Sequence, residues 1–480
     1  MPMSQGLDER SPEERQEPPD RERERERSRE TDEQEARLRT VRGMLEAEEA
    51  DGLAALLADW HAGDVAHLIE QSDAEERGRL VALLRPSFDA EILAYLPLDL
   101  RDEVVALLNP KELAAAVAEL DTDDAVDVIQ DLDDEAQQAI LENLPADTRA
   151  LVEEGLTFPE SSAGRLMSRE FISVPQFWTV GKLVDHLRAE AGNEDSALPE
   201  QFYDIFVVDP MHRVIGAVPL SRVMRSKRTV RLMDILTKDI HSFSATADQE
   251  EVARSFRRYG LVSAPVVDRA GRLIGVVTVD DVVDVIEEEA EEDMLRLGGV
   301  GEGDLYRAVL DTTKSRFSWL AINLVTAIVA SVVIGFFEAT IAQVVALAVL
   351  MPIVASMGGN AGTQTLTVAV RALATRELSE ANAARVIGKE MLVGTANGAL
   401  FALLAGGIAY LWFRDPLIGL VIGIAMIVNM MCAGLFGALI PFALHRMKID
   451  PAVASSVFLT TVTDVVGFLA FLGLASLILL

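Results

Sequence analysis

One acidic residue stands in the last apolar stretch of the chain, where a carboxylate is costly. Asp464 lies near the middle of "SVFLTTVTDVVGFLAFL", and a charged side chain at the centre of a bilayer costs about 3 kcal/mol on insertion scales. Ser456 and Thr460 precede it at intervals of four residues, so on a helix two hydroxyls and the carboxylate share one face, with Gly467 close by. Such a face suits a water-filled path between helices. The alternative is a lone aspartate bonded to a neighbouring helix, but the apolar stretches hold no basic residue to pair with it.

A second polar group lies in the segment "SMGGNAGTQT". Asn360 and Gln364 are four residues apart and would present two amide oxygens on one helix face. Gly358, Gly359 and Gly362 would let a neighbouring backbone approach closely. The segment therefore predicts either a polar wall of the same path or a helix-packing seam with incidental amides.

Five apolar stretches are each long enough to cross a hydrocarbon core, which needs about 20 helical residues. They cover residues 317–337, 341–370, 391–413, 416–444 and 451–480. An odd number puts the termini on opposite sides of the membrane. Only Arg414 flanks the stretches on the far side, so we expect a multi-pass plasma-membrane protein with a cytosolic N-terminus and an external C-terminus. The basic residues on the N-terminal side are Lys314, Arg316, Arg371, Arg376, Arg385, Lys389, Arg446 and Lys448.

Charge is divided unevenly along the chain. The sequence has 76 acidic and 43 basic residues, a formal net charge of -33, yet half of its residues are hydrophobic. From residue 317 onward seven basic residues balance seven acidic ones, so the whole excess lies before the apolar half. An acidic soluble half repels nucleic acid and attracts cations. The single cysteine, Cys432, excludes disulfides and thiolate metal sites, and residues 1–40 lack the apolar segment of a signal peptide.

The soluble half divides into three kinds of segment. Residues 1–36 form a charged tail without an apolar face, which we expect to be disordered. Residues 37–157 contain short amphipathic patterns such as "DEVVALLNP", typical of the stacked short helices of a helical solenoid. Beyond them "FVVDPMHRVIGAVPLSRVM" aligns with "PVVDRAGRLIGVVTVDDVV" at a constant offset of 59 residues, and each copy predicts a hairpin followed by a helix.

Five motifs, in order along the chain, carry a resemblance to a known family. They are "FPESSAGRLM", "GVVTVDDVVDVIEEEAEED", "RFSWLAINL", "GGNAGTQ" and "DPAVASSVFLTTVTDVVG". The repeats resemble a pair of CBS (cystathionine beta-synthase) domains, and residues 40–480 resemble the MgtE family of magnesium channels. The resemblance implies a multidomain membrane protein. Its parts would be a cytosolic all-α helical solenoid domain (37–157), an α/β CBS domain pair (158–226 and 227–280), a connecting helix with its linker (281–316) and a five-helix α transmembrane domain (317–480).

The resemblance also implies where the ion binds. In the family the aspartate matching Asp464 faces a central pore from each subunit of a homodimer and holds hydrated magnesium, and the motif of Asn360 and Gln364 lies at the pore. Magnesium prefers oxygen ligands and sheds water reluctantly, so we expect an outer-sphere site. One departure is "SSV" at residues 455–457, where the family often has a proline. Asn429 in the fourth stretch either compensates for the amide contact put in doubt there or makes a packing hydrogen bond.

A run of carboxylates joins the second repeat to the apolar half. Like charges at i,i+4 destabilise a helix unless a cation neutralises them, although most charge runs are solvated faces. In the family this connecting helix closes the cytosolic mouth of the pore, with magnesium ions bridging it to the N-domain and the CBS faces. Gly260 replaces an acidic residue sometimes found there, which weakens one bridging site. Carried over by motif, the regulatory residues are Glu91, Asp123, Asp127, Asp248, Glu250, Asp281, Asp284, Glu289, Glu292, Asp293 and Asp450.

CBS units can also hold ATP or another adenosine nucleotide, with a Thr-x-x-Asp after the second strand contacting the ribose. The second copy keeps this pair as Thr278 and Asp281, whereas the first has Pro219 and Arg222 in its place. We therefore expect at most one strong nucleotide site.

Three functions fit these observations. The first is a homodimeric magnesium-selective channel closed by cytosolic magnesium. The second is a secondary transporter exchanging divalent cations for Na⁺ or H⁺, and the third is a membrane-anchored nucleotide sensor that conducts nothing. Five spans argue against an inverted-repeat transporter within one chain, and Asp464 argues against a pure sensor. The sequence has no phosphate-binding loop, His/Cys cluster or Ser/His/Asp arrangement, so we do not expect an enzyme, and it does not separate magnesium from manganese or cobalt.

Overall fold

The chain folds as two compact units, Met1–Phe158 and Pro159–Leu480. The computed structural model describes residues 37–480 with gaps at 38, 46, 48–49, 59, 86–87, 131, 133, 192–197, 200 and 302–308. The tail expected in residues 1–36 lies outside the described residues. The first unit is all-α, and the second contains two small sheets followed by long helices, so the predicted fold class is confirmed.

Short helices fill the described part of the first unit. They are α1 (Ala50–Leu57), α2 (Ala62–Glu70), α3 (Ala74–Leu84), α4 (Glu91–Ala94), α5 (Leu98–Leu107), α6 (Pro110–Val117), α7 (Thr122–Gln130), α8 (Asp134–Asn143) and α9 (Ala146–Leu156). Local signals start them: Asp73 begins α3 by accepting hydrogen bonds from the backbone N–H groups of Glu75 and Glu76, both at 2.9 Å. Their apolar faces share one core, in which Leu93 and Ile129 are fully buried.

Two three-stranded sheets follow, one in each repeat. The first contains β1 (Ser173–Pro175), β2 (Asp204–Val208) and β3 (Val214–Pro219); the second contains β4 (Phe243–Ser244), β5 (Ser263–Val267) and β6 (Leu273–Thr278). In each sheet the first two strands are parallel and the last two form an antiparallel hairpin. Both hairpins have a register shift at the matching place, after Val207 and after Val266, which confirms the predicted pair of units.

Helices surround these sheets and connect them to the apolar half. They are α10 (Val180–Glu190), α11 (Leu220–Met224), α12 (Gln249–Tyr259) and α13 (Val279–Gly298), with a 3-10 turn at Leu232–Asp234. One hydrogen bond joins the two copies at equivalent positions, because Ser263 Oγ donates to Asp204 Oδ2 at 2.7 Å. The helix α13 begins directly after β6 and is the predicted connecting helix.

The remaining helices are α14 (Val309–Gly335), α15 (Glu338–Gln343), α16 (Ala346–Ala374), α17 (Ala383–Phe413), α18 (Pro416–Arg446) and α19 (Pro451–Ile478). Among the described residues, α14, α16, α17, α18 and most of α19 are the five helices long and apolar enough to cross a membrane. Buried residues make up 61 % of the central apolar segment of α18, against 6 % for α14. The helix α18 is therefore the core of this bundle, and α14 lies at its edge.

The boundaries of the apolar helices correct the sequence expectation in two ways. Ile341 was expected to begin the second stretch but lies in the separate helix α15, because the backbone at Val344 (φ -125°, ψ 80°) leaves the helical region. The helices α14 and α17 each include eight residues before the apolar stretch, so Arg385 and Lys389 lie on α17.

Glycines set the spacing between the two helices in closest contact. A Cβ built on Gly394 of α17 would lie 3.4 Å from the Cα of Gly434 on α18, and the reverse distance is also 3.4 Å. Small residues facing each other in this way let two membrane helices pack backbone to backbone.

Candidate functional site

The predicted polar stripe is present on α19. Asp464 is half-buried and makes no hydrogen bond or ion pair with any residue that the structure describes. The Thr460 hydroxyl donates a hydrogen bond to the Ser456 carbonyl oxygen at 2.9 Å. Because that hydrogen is committed to the backbone, the lone pairs of the hydroxyl oxygen remain free to accept from water or to face a cation. The stripe is therefore a row of oxygen acceptors.

The amides of the second motif lie on an exposed face of α16. Asn360 and Gln364 are both exposed, and Asn360 Nδ2 donates a weak hydrogen bond to Ser356 Oγ at 3.4 Å. Thr363 repeats the pattern of α19, since its hydroxyl donates to a carbonyl one turn earlier at 2.9 Å. Among the residues that the structure describes, no hydrogen bond joins either amide to Asp464.

The helices that carry these two polar rows are direct neighbours. A Cβ built on Gly362 of α16 would lie 3.1 Å from the side chain of Leu459 on α19. Leu366, Val370, Ala452 and Leu459 form one buried cluster between the two helices. The sequence predicted each polar row separately, and the structure brings their helices together.

The end of the connecting helix packs against this same pair of helices. Leu297, in the last turn of α13, lies against the buried cluster between α16 and α19. Gly299 ends α13 in the left-handed conformation (φ 68°), where a side chain is disfavoured, and a Cβ there would also collide with the indole of Trp319 on α14. The acidic helix is thus fixed at one end of the bundle.

A guanidinium that the sequence analysis did not name joins two of the candidate carboxylates. Arg296 Nη1 lies 2.6 Å from Asp450 Oδ2, and the other nitrogen of the guanidinium pairs with Glu292. Asp450 also caps α19, because its Oδ1 accepts a hydrogen bond from the backbone N–H of Ala452 at 2.8 Å. Arg296 is the one basic residue of α13, and this isolation among carboxylates is the signal that could have revealed it.

Four other candidate carboxylates lie near one another on α12 and α13. Gln249 Nε2 donates to Glu289 Oε1 at 3.0 Å, and Asp248 caps α12 by accepting from the Glu250 N–H at 2.9 Å. Burial raises the pKa of Glu289, and the neighbouring charges of Glu250, Asp248 and Asp293 raise it further. Burial likewise raises the pKa of Asp293. Among the described residues, no three His, Cys, Asp or Glu side chains form a group that could hold a metal ion.

Three family models match separate parts of the chain. A family model described as "Divalent cation transporter" matches residues 351–474, "MgtE intracellular N domain" matches residues 60–161, and "CBS domain" matches residues 232–288. The "Magnesium transporter MgtE" of Thermus thermophilus is 37% identical over 441 residues, 91% of this chain and 97% of that protein. The chain belongs to the MgtE family. It is therefore a membrane protein of a divalent-cation transporter family, with a CBS region and membrane-length helices.

Other relatives of the MgtE family match less of the chain. The "Magnesium transporter MgtE" of Bacillus subtilis is 30% identical over 338 residues, 70% of this chain and 74% of that protein. A solved structure of the "cytosolic domain of the Mg2+ channel MgtE in complex with ATP" is 32% identical, covers 52% of this chain and 99% of its own, and superimposes with a TM-score of 0.47.

Three candidate residues that the MgtE resemblance assigned lie in the first unit. Glu91 begins α4 and accepts a weak hydrogen bond from the Tyr95 hydroxyl at 3.4 Å. Asp123 lies in the first turn of α7, and Asp127 lies one turn later. Asp127 is paired within its own unit, because Arg101 Nη1 lies 3.0 Å from its Oδ2.

The two residues predicted to bind a nucleotide are hydrogen-bonded to each other. The Thr278 hydroxyl donates to Asp281 Oδ2 at 2.8 Å, and together the two residues form a capping box at the start of α13. Burial raises the pKa of Asp281 to about 7, and the charges of Asp280 and Asp284 add to the effect. Asp281 therefore caps the start of α13 in the structure, with its Oδ2 hydrogen-bonded to the Thr278 hydroxyl.

A cavity of about 660 Å³ lies elsewhere in the CBS region of the second unit. Its wall does not include Thr278 or Asp281. Arg222 holds the backbone next to it by donating to the Ile235 carbonyl at 2.8 Å. The lining includes Tyr203, Asp204, Phe206, Ser221, His241 and Leu261.

Proposed function

We propose that two copies of this chain form a magnesium-selective channel, in which two Asp464 stripes face each other across a central pore. The observation that carries the proposal is Asp464 itself, a half-buried carboxylate on a membrane-length helix with no partner among the described residues. Such a carboxylate needs a wet surface or a cation to stay charged. The relatives are named magnesium transporters, and Mg²⁺ is the hard, strongly hydrated cation that carboxylate, hydroxyl and amide oxygens suit.

We infer a dimer because one copy of the chain has too few polar groups to surround an ion. A single chain supplies one carboxylate and one polar row on α16, which cannot surround an ion by themselves. The two rows lie on neighbouring helices, and Asn360 and Gln364 are exposed in the single chain. We propose that the N-terminal unit is cytosolic and the C-terminus external, because the basic residues near the helix ends are concentrated on the N-terminal side.

We propose further that cytosolic Mg²⁺ closes this channel through the connecting helix. The end of α13 packs against the helices of the polar rows, and burial together with neighbouring carboxylates raises the pKa of Glu289 and Asp293. A divalent cation between these carboxylates would relieve their repulsion and favour the packed arrangement by mass action. Glu91, Asp123 and Asp127 of the first unit stay predictions for the same role.

The channel is tested by recording from purified protein in planar bilayers with Mg²⁺ as the only permeant cation. We expect unitary currents, and we expect Asp464→Asn to reduce them by about tenfold or more, since it removes the only charge in the stripe. Glu338→Gln is the matched control, because it neutralises an exposed carboxylate on the short helix α15. Parental currents from Asp464→Asn would refute the proposed pore. Flux without unitary currents that depends on a Na⁺ or H⁺ gradient would instead support an exchanging transporter.

A second proposal concerns the CBS cavity, which we infer to be the nucleotide site. Its volume of about 660 Å³ is within the range of ligand pockets. Aromatic and aliphatic walls with a few polar groups suit an adenine ring and a ribose, whereas Thr278 and Asp281 already bond to each other. Calorimetry with ATP distinguishes binding in the cavity from binding at Thr278 and Asp281. Leu261→Trp, which fills the cavity, should abolish ATP binding, and Thr278→Ala should leave the affinity for ATP within about threefold of the parent. The reverse result would place the nucleotide at Thr278 and Asp281 instead of in the cavity.

A further inference from the structure

A fully buried asparagine lies between the two helices that carry the proposed pore groups. Asn429 is in the middle of α18 and has 0 % of its surface exposed. Its Nδ2 donates a hydrogen bond to the Val354 carbonyl oxygen of α16 at 2.8 Å. Its Oδ1 is also buried and has no hydrogen-bond partner among the residues that the structure describes.

Two glycines make the space for this amide. A Cβ built on Gly467 of α19 would lie 2.7 Å from Asn429 Nδ2 and 3.2 Å from its Oδ1. A Cβ built on Gly358 of α16 would lie 2.8 Å from Cγ and 2.9 Å from Oδ1. Gly358 lies two residues before Asn360, and Gly467 lies three residues after Asp464. Each of the two proposed pore helices therefore has a glycine close to its own polar group, and the absence of a side chain there leaves room for the Asn429 amide.

The unpaired oxygen lies next to the helix that carries the stripe, at Gly467. Three residues along a helix correspond to a rotation that leaves Gly467 about 60° from Asp464, one turn further on. Gly467 is therefore at the edge of the stripe face, and the amide that touches it approaches the proposed path from the side. A buried carbonyl oxygen without a donor is unfavourable, and native structures keep such groups where water, an ion or function satisfies them.

We propose that Asn429 is a further acceptor on the cation path, and that its Oδ1 accepts a hydrogen bond from the water shell of the passing ion when Gly467 moves off the amide. A hydrated Mg²⁺ presents O–H donors outward, so acceptors are the groups that recognise it. The amide N–H stays on Val354 and fixes the position of the oxygen. This inference rests on the proposed pore at Asp464.

The test compares two substitutions of similar size at one position. Asn429→Asp keeps an acceptor oxygen, and its protonated form can still donate to Val354; Asn429→Leu keeps the volume and removes every polar atom. We expect Mg²⁺ flux into dye-loaded vesicles within about threefold of the parent for the Asp variant and at least about tenfold lower for the Leu variant. If Asn429 only packs, the order reverses, because leucine suits a buried apolar site and aspartate does not. Asn323→Leu is the control, since Asn323 Nδ2 also donates to a helix carbonyl, at 3.0 Å, in α14.

Two further measurements keep the outcomes separate. Asp464→Asn is measured on the same vesicles: if it conducts like the parent, the proposed pore fails, whereas loss of flux there with a normal Asn429→Leu overturns only this inference. If Asn429→Asp does not fold as a dimer, the isosteric pair Asn429→Thr and Asn429→Val decides. Higher flux for Thr than for Val supports the acceptor, and equal flux overturns it.

Discussion

The Arg296 guanidinium provides a fixed positive charge at the proposed gate, where it pairs with Asp450. The guanidinium lies between α13 and the start of α19, where it neutralises Asp450 and Glu292 without any metal. If α13 closes the mouth, this pair should hold a fraction of channels closed even when Mg²⁺ is absent. Arg296→Gln removes the charge and keeps much of the side-chain length, so it should open the resting channel.

The size of the effect follows from the geometry. The contact of 2.6 Å is short, but the two side chains are 40% and 33% exposed, so solvent screens much of their attraction. A charge-assisted hydrogen bond of this kind contributes about 1 kcal/mol, between the values for exposed and buried pairs. A change of about 1 kcal/mol shifts the balance of closed and open channels about fivefold. We therefore expect closed occupancy relative to open to fall about fivefold without Mg²⁺. Closure at high Mg²⁺ should remain and become steeper, because the freed carboxylates can bind the ion.

The assay is open probability in inside-out patches at stepped cytosolic Mg²⁺. Arg149→Gln is the matched control, because Arg149 Nε lies 2.7 Å from Glu153 Oε1 within the single helix α9 and Glu153 is not a candidate regulatory residue. Asp450→Asn keeps the helix cap but removes the charge, so it should reproduce the effect of Arg296→Gln. The double variant should add little to either single change, since both remove the same pair. Unchanged open probability without Mg²⁺ in Arg296→Gln, or fully additive effects, would refute the reasoning.

Three other outcomes follow from the same contacts. The folded pKa of Asp281 is about 7, well above its ordinary value of 3.8, so the start of α13 should lose stability as pH rises from about 4 to 7 and change little above that. The hydrogen-exchange protection factors of residues 279–285 in the full chain, which are corrected for the intrinsic pH dependence of exchange, should be higher at low pH and should change less in Asp281→Asn; pH-independent protection factors in the parent would contradict this. Neutralising Asp281 and Asp284 together should leave the channel conducting at Mg²⁺ levels that close the parent, and millimolar Mg²⁺ should protect residues 40–300 of the parent from protease. If the variant closes at the same Mg²⁺ level as the parent and Mg²⁺ does not change the digestion pattern, these carboxylates are only solvated. Mass measurement in detergent should show two chains per particle, and a conducting monomer would exclude the shared pore.

Much of the fold could be predicted because its signals are local. The copies of the hairpin repeat at an offset of 59 residues, and the register shifts after Val207 and Val266 occur at the same interval. The apolar helices are longer than 20 residues, so composition alone identifies them. The ends of these helices could not be predicted in the same way. No glycine or proline marks the break at Val344, and the first eight residues of α14 and of α17 each contain three charged side chains, so hydropathy could not include them.

The parts of the site that escaped prediction depend on contacts between distant segments. Arg296 and Asp450 are 154 residues apart. A packing hydrogen bond is one alternative that the sequence gives for Asn429, but its acceptor, the carbonyl of Val354, lies 75 residues away and could not be identified. Sequence pattern shows that Arg296 is alone among carboxylates, but it does not show which carboxylate it meets. The proposed nucleotide cavity could not be found from the sequence for another reason: its lining comes from several separate segments, whereas Thr278 and Asp281 form a local motif that suits a ribose site and also suits the helix cap seen in the structure.

One helix links the proposed gate to the proposed pore. Asp450 caps the start of α19, and Asp464 follows it by fourteen residues, about 21 Å along the axis. A continuous helix does not stretch, so an event at Asp450 reaches Asp464 only if α19 moves as a body. The contacts that resist such movement are the Arg296 pair at its start, the Leu459 cluster, and the amide of Asn429 against Gly467. The Arg296 pair and the Asn429 contact are polar, and the Asn429 oxygen lacks a hydrogen-bond donor among the described residues. Weakening the Arg296 pair should therefore change how often Gly467 moves away from the Asn429 amide. Gating and ion recognition would then both depend on movement of α19 as one rigid helix.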